Sequence, residues 1–465
     1  MSVASLMATD EKAALQLLRE KVAPLKLSKG AEDKLVSMFK AAFSKDSEAE
    51  INWDFVKPLT PNEQFPYENL AEPANPAELL KQLVVVKLNG GLGTTMGCTF
   101  PKSLINVTDN ETFFDITAQQ VAEFNQKYNV DVPLVLMHSF YTDDLMKPHL
   151  NKVKGVRVLT FNQNKFPRID AETLEPVPTS PDSPLAEWNP PGHGDVYHCL
   201  RDSGLLDQLI AEGKKFMFIS NIDNLGARID LKILNKVATE NRSYAAETVP
   251  KTPDDWKGGM PILYKGRVKL LETAQVPNGH MEDFKNIKIF DIFNSNNMWV
   301  NLVTLKKALD EDTLVLDVIK NRKVYNGRNV IQLEAAAGSA IQSFHDSISI
   351  KIPRSRFLPV KSCNELLMDR SDLYVRNGGE FILSPKRTLT TLPSINLGPK
   401  YQHVSEFEKR FKAIPSLLNV DVLEVTGDVT FGPGVVIEGK VHIKGSDDKP
   451  VTIENRHLKD ETVTF

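Results

Sequence analysis

The chain has 465 residues, of which 41% are hydrophobic and 25% are charged. This length suits about three domains of roughly 150 residues each, and the composition excludes a disordered, collagen-like or fibrous chain. The 56 Lys and Arg residues nearly balance the 60 Asp and Glu residues, giving a net charge of −4. Such a balance argues against a protein that coats nucleic acid or binds membranes through basic charge, but it leaves room for a local basic pocket.

The cysteines and the N-terminus indicate the compartment. Cys98, Cys199 and Cys363 are sparse and dispersed, which fits neither a disulfide framework nor a zinc site. Acidic residues precede any apolar run at the N-terminus, so we predict no signal peptide. No apolar run approaches the roughly 18 residues of a membrane span. We therefore expect a cytoplasmic protein without membrane or nucleic-acid partners.

Residues 1–80 predict a small helical part and a strap. Residues 1–50 show the apolar spacing of amphipathic helices, as in Leu15, Leu18 and Val22. An extended strap is predicted next, because prolines crowd a short stretch at positions 58, 61, 66, 73 and 76.

Residues 81–385 predict one large α/β domain. Apolar runs such as QLVVVKL, PLVLMH, VRVLTF and KKFMFIS predict strands, and they alternate with helical patterns near 112–128, 142–150 and 230–240. This alternation is typical of a doubly wound, mostly parallel sheet. Ligands bind such sheets beyond the carboxyl ends of the strands. The candidate site therefore comprises the loops after positions 88, 137, 161 and 220.

Residues 386–465 predict a linker helix and a repeat. The helix contains Val404, Phe407 and Phe411 and is expected to end before Pro415. A period of six residues predicts a β-helix, although a pair of ordinary hairpins is the alternative. Two apolar series and one corner series keep this period: Leu423, Val429, Val435 and Val441; Val425, Phe431, Ile437 and Ile443; Gly427, Pro433, Gly439 and Gly445.

The segment VVVKLNGGLGTTMGCTFPKS, residues 84–103, carries the strongest local signal. A buried strand runs into a glycine-rich turn, and glycine lets backbone N–H groups approach phosphates closely. The spacing matches neither Walker A nor GxGxxG, and a tight connection between strand and helix is the alternative. Lys102 follows, where an ammonium group would neutralise a triphosphate or a departing pyrophosphate unless it is an ordinary surface charge.

Other loops carry further candidate groups. The amides of Asn162 and Gln163 follow a strand and are able to pair with a base edge. NPPGHGD, residues 189–195, is stiff and glycine-rich, which suits a preformed ligand wall or a structural loop. Asn221 and Asp223 follow a buried strand, where the carboxylate would hold Mg²⁺ against phosphate oxygens or simply cap a helix.

RSRFLPVK places Arg354, Arg356 and Lys361 in a proline-flanked span, which indicates either anion binding or an ion-paired surface. No Ser-His-Asp, Cys-His or HExxH constellation is recognisable. Nucleotidyl transfer would account for that absence, because an attacking phosphate oxygen is already anionic and needs no general base. Positioning and charge neutralisation then suffice.

Together these segments resemble the eukaryotic UDP-glucose pyrophosphorylase (UTP–glucose-1-phosphate uridylyltransferase) family, and its plant-type members most. The resemblance rests on LNGGLGTTMGC–PKS, FNQ, PPGHGD, DNLG, NNMWVNL and PRSRFLPVK and spans nearly the whole chain. It implies a Rossmann-like nucleotidyltransferase domain with a mixed, mostly parallel sheet, and a C-terminal left-handed parallel β-helix. It also implies the reversible conversion of UTP and glucose 1-phosphate to UDP-glucose and pyrophosphate with Mg²⁺, by a monomer or homo-oligomer.

The resemblance also assigns roles to individual residues. Catalytic roles fall on Lys102 and Lys361, and Asp223 is expected to bind the metal. Nucleotide contacts are implied for Leu88, Asn89, Gly90, Gly91, Lys102, Gln163, Gly192, Asp223 and Lys361. Sugar or sugar-phosphate contacts are implied for Gly90, Gly91, His193, Asn221, Ile222, Asp223, Gly259, Glu272, Asn296 and Asn297.

The chain departs from the family pattern at Phe100, His138 and Ile222, where we expect Gly, Asn and Ser. If that glycine has a positive φ, Phe100 would be strained. His138 ends a strand and is a candidate to face the nucleotide, whereas strand alternation would aim Ile222 away from it. Two alternatives stay open. They are a UDP-sugar or UDP-N-acetylhexosamine pyrophosphorylase, and a weakened, non-catalytic nucleotide-sugar-binding homologue.

Overall fold

The structure is a computed structural model that describes residues 2–44, 51–108, 110–252, 255, 258–377 and 379–465. Within these ranges, no helix is both long enough and apolar enough to cross a membrane. Helices α1 to α13 span Val3–Met7, Glu11–Val22, Lys29–Phe43, Pro76–Leu80, Phe113–Tyr128, Asp143–Leu150, Val196–Asp202, Leu205–Ala211, Leu231–Thr239, Met281–Lys285, Leu302–Asp310, Cys363–Arg370 and Val404–Arg410.

Strands β1 to β25 span Val56–Lys57, Gln64–Pro66, Leu83–Leu88, Leu134–His138, Val158–Asn162, Phe166–Pro167, Ile169–Asp170, Trp188–Asn189, Phe216–Asn221, Tyr244–Pro250, Met260–Tyr264, Arg267–Leu271, Ile292–Asn301, Val318–Tyr325, Arg328–Ala335, Ile348–Lys351, Tyr374–Asn377, Glu380–Leu383, Ser394–Asn396, Ser416–Thr426, Val429–Phe431, Val436–Lys444, Val451–Ile453, His457–Lys459 and Thr462–Thr464.

An eight-stranded sheet forms the centre of the molecule, in the order β2-β16-β10-β13-β9-β3-β4-β5. Five of its seven neighbouring pairs are parallel, and β13, antiparallel to both its neighbours, accounts for the other two. The prediction of a mixed, mostly parallel sheet is therefore confirmed. Part of the predicted proline strap is itself the edge strand β2, a position that tolerates Pro66 because only one side of an edge strand is paired.

Helices cover both faces of this sheet, because alternate side chains of a strand point to opposite faces. On β3, Val84 and Val86 pack in a core that includes residues of α7, α8 and α11. Leu83 and Val85 pack in a second core with residues of α5 and α9. Strand β3 is buried along its whole length, so its carboxyl end lies deep between two layers of helices.

The N-terminal helices α1 to α3 form a separate layer. Leu18 and Val22 are buried there and Leu15 is partly buried, in a core shared with residues of β6 to β8 and β15. The predicted amphipathic helices are therefore present. The last residues of the predicted helical stretch, 45–50, lie outside the described ranges.

The C-terminal strands stack in parallel. Strand β20 pairs with β19 and β22, β22 with β24 and β25, and β21 with β23, and every one of these pairs is parallel. The alternative of ordinary hairpins is wrong, since hairpins are antiparallel. Both predicted apolar series are fully buried, and α13 precedes them as predicted. The residues of the six-residue repeat thus lie in stacked parallel strands around a shared core.

Gly427 lies at a tight corner of this stack, with a φ of +76° and a Cβ position only 2.1 Å from the Gly445 carbonyl oxygen. Gly266, in the turn between β11 and β12, has a similar φ of +79°, but no described atom lies within 4 Å of its Cβ position. We expect Gly266→Ala to lower the free energy of unfolding by about 1–2 kcal/mol. Gly427→Ala should cost more, because backbone must also move. Urea denaturation compares the two, and equal losses would mean that the corner accommodates a side chain.

Candidate active site

The carboxyl ends of β3, β4 and β9 meet at one edge of the main sheet. Leu88, the last residue of β3, lies opposite Met137 of β4 and Asn221 of β9. A cavity of about 280 Å³ opens at this point. Its walls contain every residue predicted to contact a nucleotide, and also Met137 and Pro190, which the sequence did not single out: Leu88, Asn89, Gly90, Gly91, Lys102, Met137, Gln163, Pro190, Gly192, His193, Asn221, Ile222, Asp223 and Lys361.

The turn after β3 is fixed by its neighbours. A Cβ on Gly90 would lie 1.9 Å from the Gln163 Nε2 atom, so any other residue at this position would displace the Gln163 amide. The Ser139 hydroxyl donates a hydrogen bond of 2.7 Å to the Gly90 carbonyl, and the Thr142 hydroxyl donates one of 2.9 Å to the Asn89 carbonyl. Ser139 and Thr142 are not recognisable as functional residues from the sequence, because a hydroxyl in a polar loop carries no distinctive signal.

One carboxylate joins the two predicted catalytic lysines. The Lys102 Nζ atom lies 2.5 Å from Asp223 Oδ2, and the Lys361 Nζ atom lies 3.1 Å from the same oxygen. Burial opposes ionisation of Asp223, but the two ammonium groups outweigh it and lower the pKa of the carboxyl group. Lys102 also donates to the Val360 carbonyl. Two positive charges from remote parts of the chain therefore face one negative charge at the cavity wall.

His193 presents a neutral ring to the cavity. Its Nδ1 atom accepts a hydrogen bond of 3.0 Å from the Ala337 backbone N–H, which leaves the proton on Nε2. Burial, and secondarily the charge of Lys361, lower the pKa of His193 to about 4. The ring is consequently a hydrogen-bond donor, without charge, at neutral pH.

Two further loops contribute to the cavity wall, and the carboxylate of Asp195 connects them. Asp195 accepts hydrogen bonds from the Asn164 backbone N–H at 2.8 Å and from the Asn164 side chain at 3.0 Å. This ties the residue next to Gln163 to the GHGD loop. In that loop Gly192 has a φ of +83°, and a Cβ there would lie 2.6 Å from the Ala335 carbonyl oxygen. The stiff loop predicted from NPPGHGD is therefore a cavity wall.

Several polar atoms in these walls have no hydrogen-bond partner among the described residues. They are both side-chain atoms of Asn89, Oε1 of Gln163 and Oδ1 of Asp223, and all are buried. Buried polar atoms are rarely left unsatisfied in native proteins. Their concentration around one cavity is expected where a polar ligand binds.

The remaining predicted sugar-binding residues do not line this cavity. Asn296 contacts a residue of the cavity wall, because its side chain donates a hydrogen bond of 2.9 Å to Asn221 Oδ1. Gly259 packs on Glu272, whose carboxyl carbon is 2.8 Å from the glycine's Cβ position. Asn297 is fully buried, and both ends of its amide bond to Glu247 and Asn224 instead. In this structure Asn297 does not line the cavity, and its contact with sugar hydroxyls stays a prediction.

The three departures from the family pattern have different consequences. Phe100 is not among the described residues with positive φ and is partly exposed, so the expected backbone strain is absent. His138 is fully buried with Nδ1 3.2 Å from Asp143 Oδ1, and it is not part of the cavity wall. The proposal that it faces the nucleotide is therefore wrong. Ile222 contributes to the wall while its side chain belongs to the apolar core.

The sequence left two roles open for the basic residues of the span 354–361, namely ion pairing and anion binding, and the three residues differ in this respect. Arg354 pairs with Asp255 at 2.7 Å. Arg356 is buried and pairs with Glu247 at 2.6 Å. Only Lys361 reaches the cavity.

A glycine-rich turn and paired lysines, at the carboxyl edge of a mostly parallel sheet, are features expected of an α/β protein that holds a nucleotide. The family model of UTP–glucose-1-phosphate uridylyltransferase matches residues 33–438. A probable UTP–glucose-1-phosphate uridylyltransferase of Schizosaccharomyces pombe is 44% identical, covering 93% of this chain and 87% of the relative. The Hordeum vulgare enzyme of that name is 45% identical, covering 92% and 91%.

Solved structures agree with the sequence comparisons. The UDP-glucose pyrophosphorylase of Leishmania major, known in open and closed structures, is 33% identical with a TM-score of 0.85, covering 97% of this chain and 99% of that one. A Trypanosoma brucei structure named UDP-glucose phosphorylase is 35% identical with a TM-score of 0.81, covering 97% and 100%. The chain belongs to the UTP–glucose-1-phosphate uridylyltransferase family, a family of nucleotidyltransferases.

The neutral state of His193 is directly testable. Because its pKa is lowered to about 4, the ring should stay neutral with the proton on Nε2 at neutral pH and take up a second proton only near that value. Nitrogen NMR of histidine-labelled protein, with His193→Gln for assignment, measures this. Lys361→Ala should raise the midpoint, because a nearby positive charge is removed. A His193 midpoint near the ordinary value of about 6.5 would contradict the assignment.

Proposed function

We propose that the chain transfers a uridylyl group between UTP and glucose 1-phosphate, giving UDP-glucose and pyrophosphate reversibly. The observation that carries the proposal is the Lys102–Asp223–Lys361 cluster beside a glycine turn, within a chain of this family. The names of the relatives favour this reaction over a broader UDP-sugar or UDP-N-acetylhexosamine enzyme. The retained lysines and carboxylate favour catalysis over a binding-only role.

The walls of the cavity suggest where each part of the substrates binds. Gln163 and Gly192 line the same cavity as the two lysines, and the free Oε1 of Gln163 is suited to the N–H of a uracil ring. The phosphates of UTP belong near the glycine turn and the lysines. The neutral N–H of His193 and the side-chain amide of Asn221 are suited to donate hydrogen bonds to the sugar phosphate, because neither group exchanges a proton with it.

The chemistry follows from charge and position. A phosphate oxygen of glucose 1-phosphate attacks the α-phosphorus of UTP, and the bond from that phosphorus to the β-phosphate oxygen breaks as pyrophosphate leaves. The attacking oxygen is already anionic, so no general base is required. Lys102 and Lys361 stabilise the negative charge that develops on the phosphates, and the lysine–carboxylate cluster holds their ammonium groups in place beforehand.

We also propose that Asp223 holds Mg²⁺. Its Oδ2 is engaged by the lysines, whereas its Oδ1 is buried and has no partner in the described structure. The described residues contain no group of three or more His, Cys, Asp or Glu side chains able to form an all-protein metal site. Mg²⁺ commonly uses one or two carboxylates together with substrate phosphates, which suits a single Asp. The ion would offset phosphate charge and orient the triphosphate.

For the C-terminal part we propose a left-handed parallel β-helix that begins at β20. The six-residue period, the exclusively parallel pairing of β19 to β25 and the buried apolar series support this arrangement. Positive φ values at Gly427, Gly434 and Gly439 suit tight corners between the coils. An electron-density map of this domain that shows right-handed coils would contradict the proposal.

We expect Lys102→Ala and Lys361→Ala each to lower kcat about 10²- to 10³-fold, the usual cost of losing one electrostatic stabiliser of a transition state. Both proteins should stay folded, because each lysine lies at a cavity wall rather than in an apolar core. Lys409→Ala, which removes an exposed lysine on α13, is the matched control and should keep parental kcat. Parental kcat in both site variants would show that the phosphates bind elsewhere.

The metal proposal predicts a shift in Mg²⁺ dependence. We expect Asp223→Asn to raise the Mg²⁺ concentration for half-maximal activity about tenfold or more, which corresponds to roughly 1.4 kcal/mol of binding free energy. The loss of a charged oxygen ligand is the reason. Asp144→Asn, which changes a highly exposed carboxylate, is the control. Superimposable metal titrations of Asp223→Asn and the parent would remove Asp223 from this role.

A further inference from the structure

Lys361 reaches the cavity from a segment that has almost no regular structure. Strand β16 ends at Lys351 and α12 begins at Cys363, and between them lies one short 3-10 turn, Arg354–Arg356. Residues 357–361 contribute only a single β-bridge, from Pro359 to Asn224. The position of the Lys361 ammonium group must therefore be set by contacts outside the sheets and helices.

Those contacts run to the loop that carries Asp223. The Val360 backbone N–H donates a hydrogen bond of 3.2 Å to the Asp223 carbonyl. The Leu358 backbone N–H donates one of 2.8 Å to the side-chain oxygen of Asn224. The two segments are thereby joined on either side of the bridge, so a displacement of one is transmitted to the other.

A buried ion pair between Arg356 and Glu247 anchors the segment. Arg356, only 3% exposed, donates to both oxygens of Glu247 at 3.0 and 2.6 Å, and Glu247 is 0% exposed. The same guanidinium group donates to Asp230 at 3.2 Å and to the Arg228 carbonyl at 3.0 Å. A Cβ on Gly226 would lie 2.7 Å from the Arg356 carbonyl carbon, so the two backbones are in direct contact.

The amides of two asparagines close this arrangement into a ring. Glu247 accepts a further hydrogen bond of 3.1 Å from Asn297 and one of 2.9 Å from the Trp299 indole. The Asn297 oxygen in turn faces the Asn224 amide nitrogen at 3.4 Å. Asn224 also faces the Arg356 carbonyl at 3.4 Å. Every oxygen of Glu247 is thus satisfied inside the protein, and no atom of this ring lines the cavity.

We propose that Asn224, Glu247, Asn297 and Arg356 form a positioning network that sets Lys361 against Asp223 for uridylyl transfer. The proposal rests on the catalytic role proposed for Lys361. Stability alone does not account for the ion pair, because the desolvation of two buried charges largely offsets their attraction, and apolar residues of similar volume often serve as well. Placement of a transition-state charge does account for it, since a misplacement of about 1 Å is able to cost roughly 10²-fold in rate.

A double-mutant cycle tests the network. Asn224→Ala is made in the parent and in Lys361→Ala, and kcat is measured for pyrophosphate release from UTP and glucose 1-phosphate. We expect Asn224→Ala to lower kcat about 10- to 100-fold in the parent. In Lys361→Ala the same change should have a much smaller effect, because the group that it positions is already absent. KM for UTP should change much less than kcat.

Asn125→Ala is the matched control. Asn125 is a buried asparagine that likewise fixes backbone, through hydrogen bonds to the N–H of Val132 at 2.8 Å and to its carbonyl at 3.1 Å, and it is not part of the cavity wall. We expect Asn125→Ala to lower the melting temperature without changing kcat. If Asn224→Ala does not fold, Arg356→Lys provides the second cycle, because it keeps the buried charge and loses the two-pronged contact with Glu247.

The possible outcomes distinguish a failure of the positioning network from a failure of the catalytic role of Lys361. An equal loss of kcat from Asn224→Ala in both backgrounds would mean a general structural effect and would overturn the network. Parental kcat in the Lys361→Ala single variant would overturn the catalytic role of Lys361 itself, and the network with it. The positioning role is supported if Asn224→Ala lowers kcat in the parent but not in Lys361→Ala. The melting temperature of Asn224→Ala should then be close to that of Asn125→Ala.

Discussion

The attraction between the Asp223 carboxylate and two lysine ammonium groups is the interaction on which the site depends. It brings together parts of the chain that are far apart in sequence: the turn after β3, the loop after β9 and the span before α12. A different structural feature positions each part. Asp223 follows a buried strand, Lys102 follows a glycine-rich turn, and a buried ion pair anchors the segment of Lys361. The cavity forms where these three parts of the chain meet, at one edge of the sheet.

Burial and neighbouring charges together set the ionisation of the groups around this cluster. His193 is kept neutral, while Asp223 is kept ionised by its lysine partners. Lys87, the penultimate residue of the buried strand β3, donates hydrogen bonds to Ser220 Oγ at 2.7 Å and to the Ala227 carbonyl at 2.6 Å, and burial lowers its pKa to about 7. The ammonium groups of Lys102 and Lys361 and the N–H of His193 give the cavity positive charge and hydrogen-bond donors, which suits substrates that are all polyanions.

Much of the fold was accessible from the sequence, and the reason is periodicity. Buried parallel strands are continuous apolar runs, and the six-residue repeat of the C-terminal part follows its stacked parallel strands. The cavity residues were accessible because carboxyl ends of parallel strands meet at one edge, and the family resemblance assigned their roles. What the sequence did not indicate was side-chain direction and long-range pairing. Asn297 turned away from the cavity, His138 paired with Asp143, and Arg356 proved to be anchored to Glu247.

The most direct measurement is pyrophosphate release in a coupled assay, with UTP or ATP as donor and several sugar 1-phosphates as acceptors. The account predicts Mg²⁺-dependent release from UTP with glucose 1-phosphate, and much slower release when ATP or N-acetylglucosamine 1-phosphate replaces either substrate. Similar rates with many sugar 1-phosphates would indicate a broader enzyme. No release from UTP and glucose 1-phosphate, by protein that still binds UDP-glucose, would contradict the account and leave a binding protein in place of a uridylyltransferase.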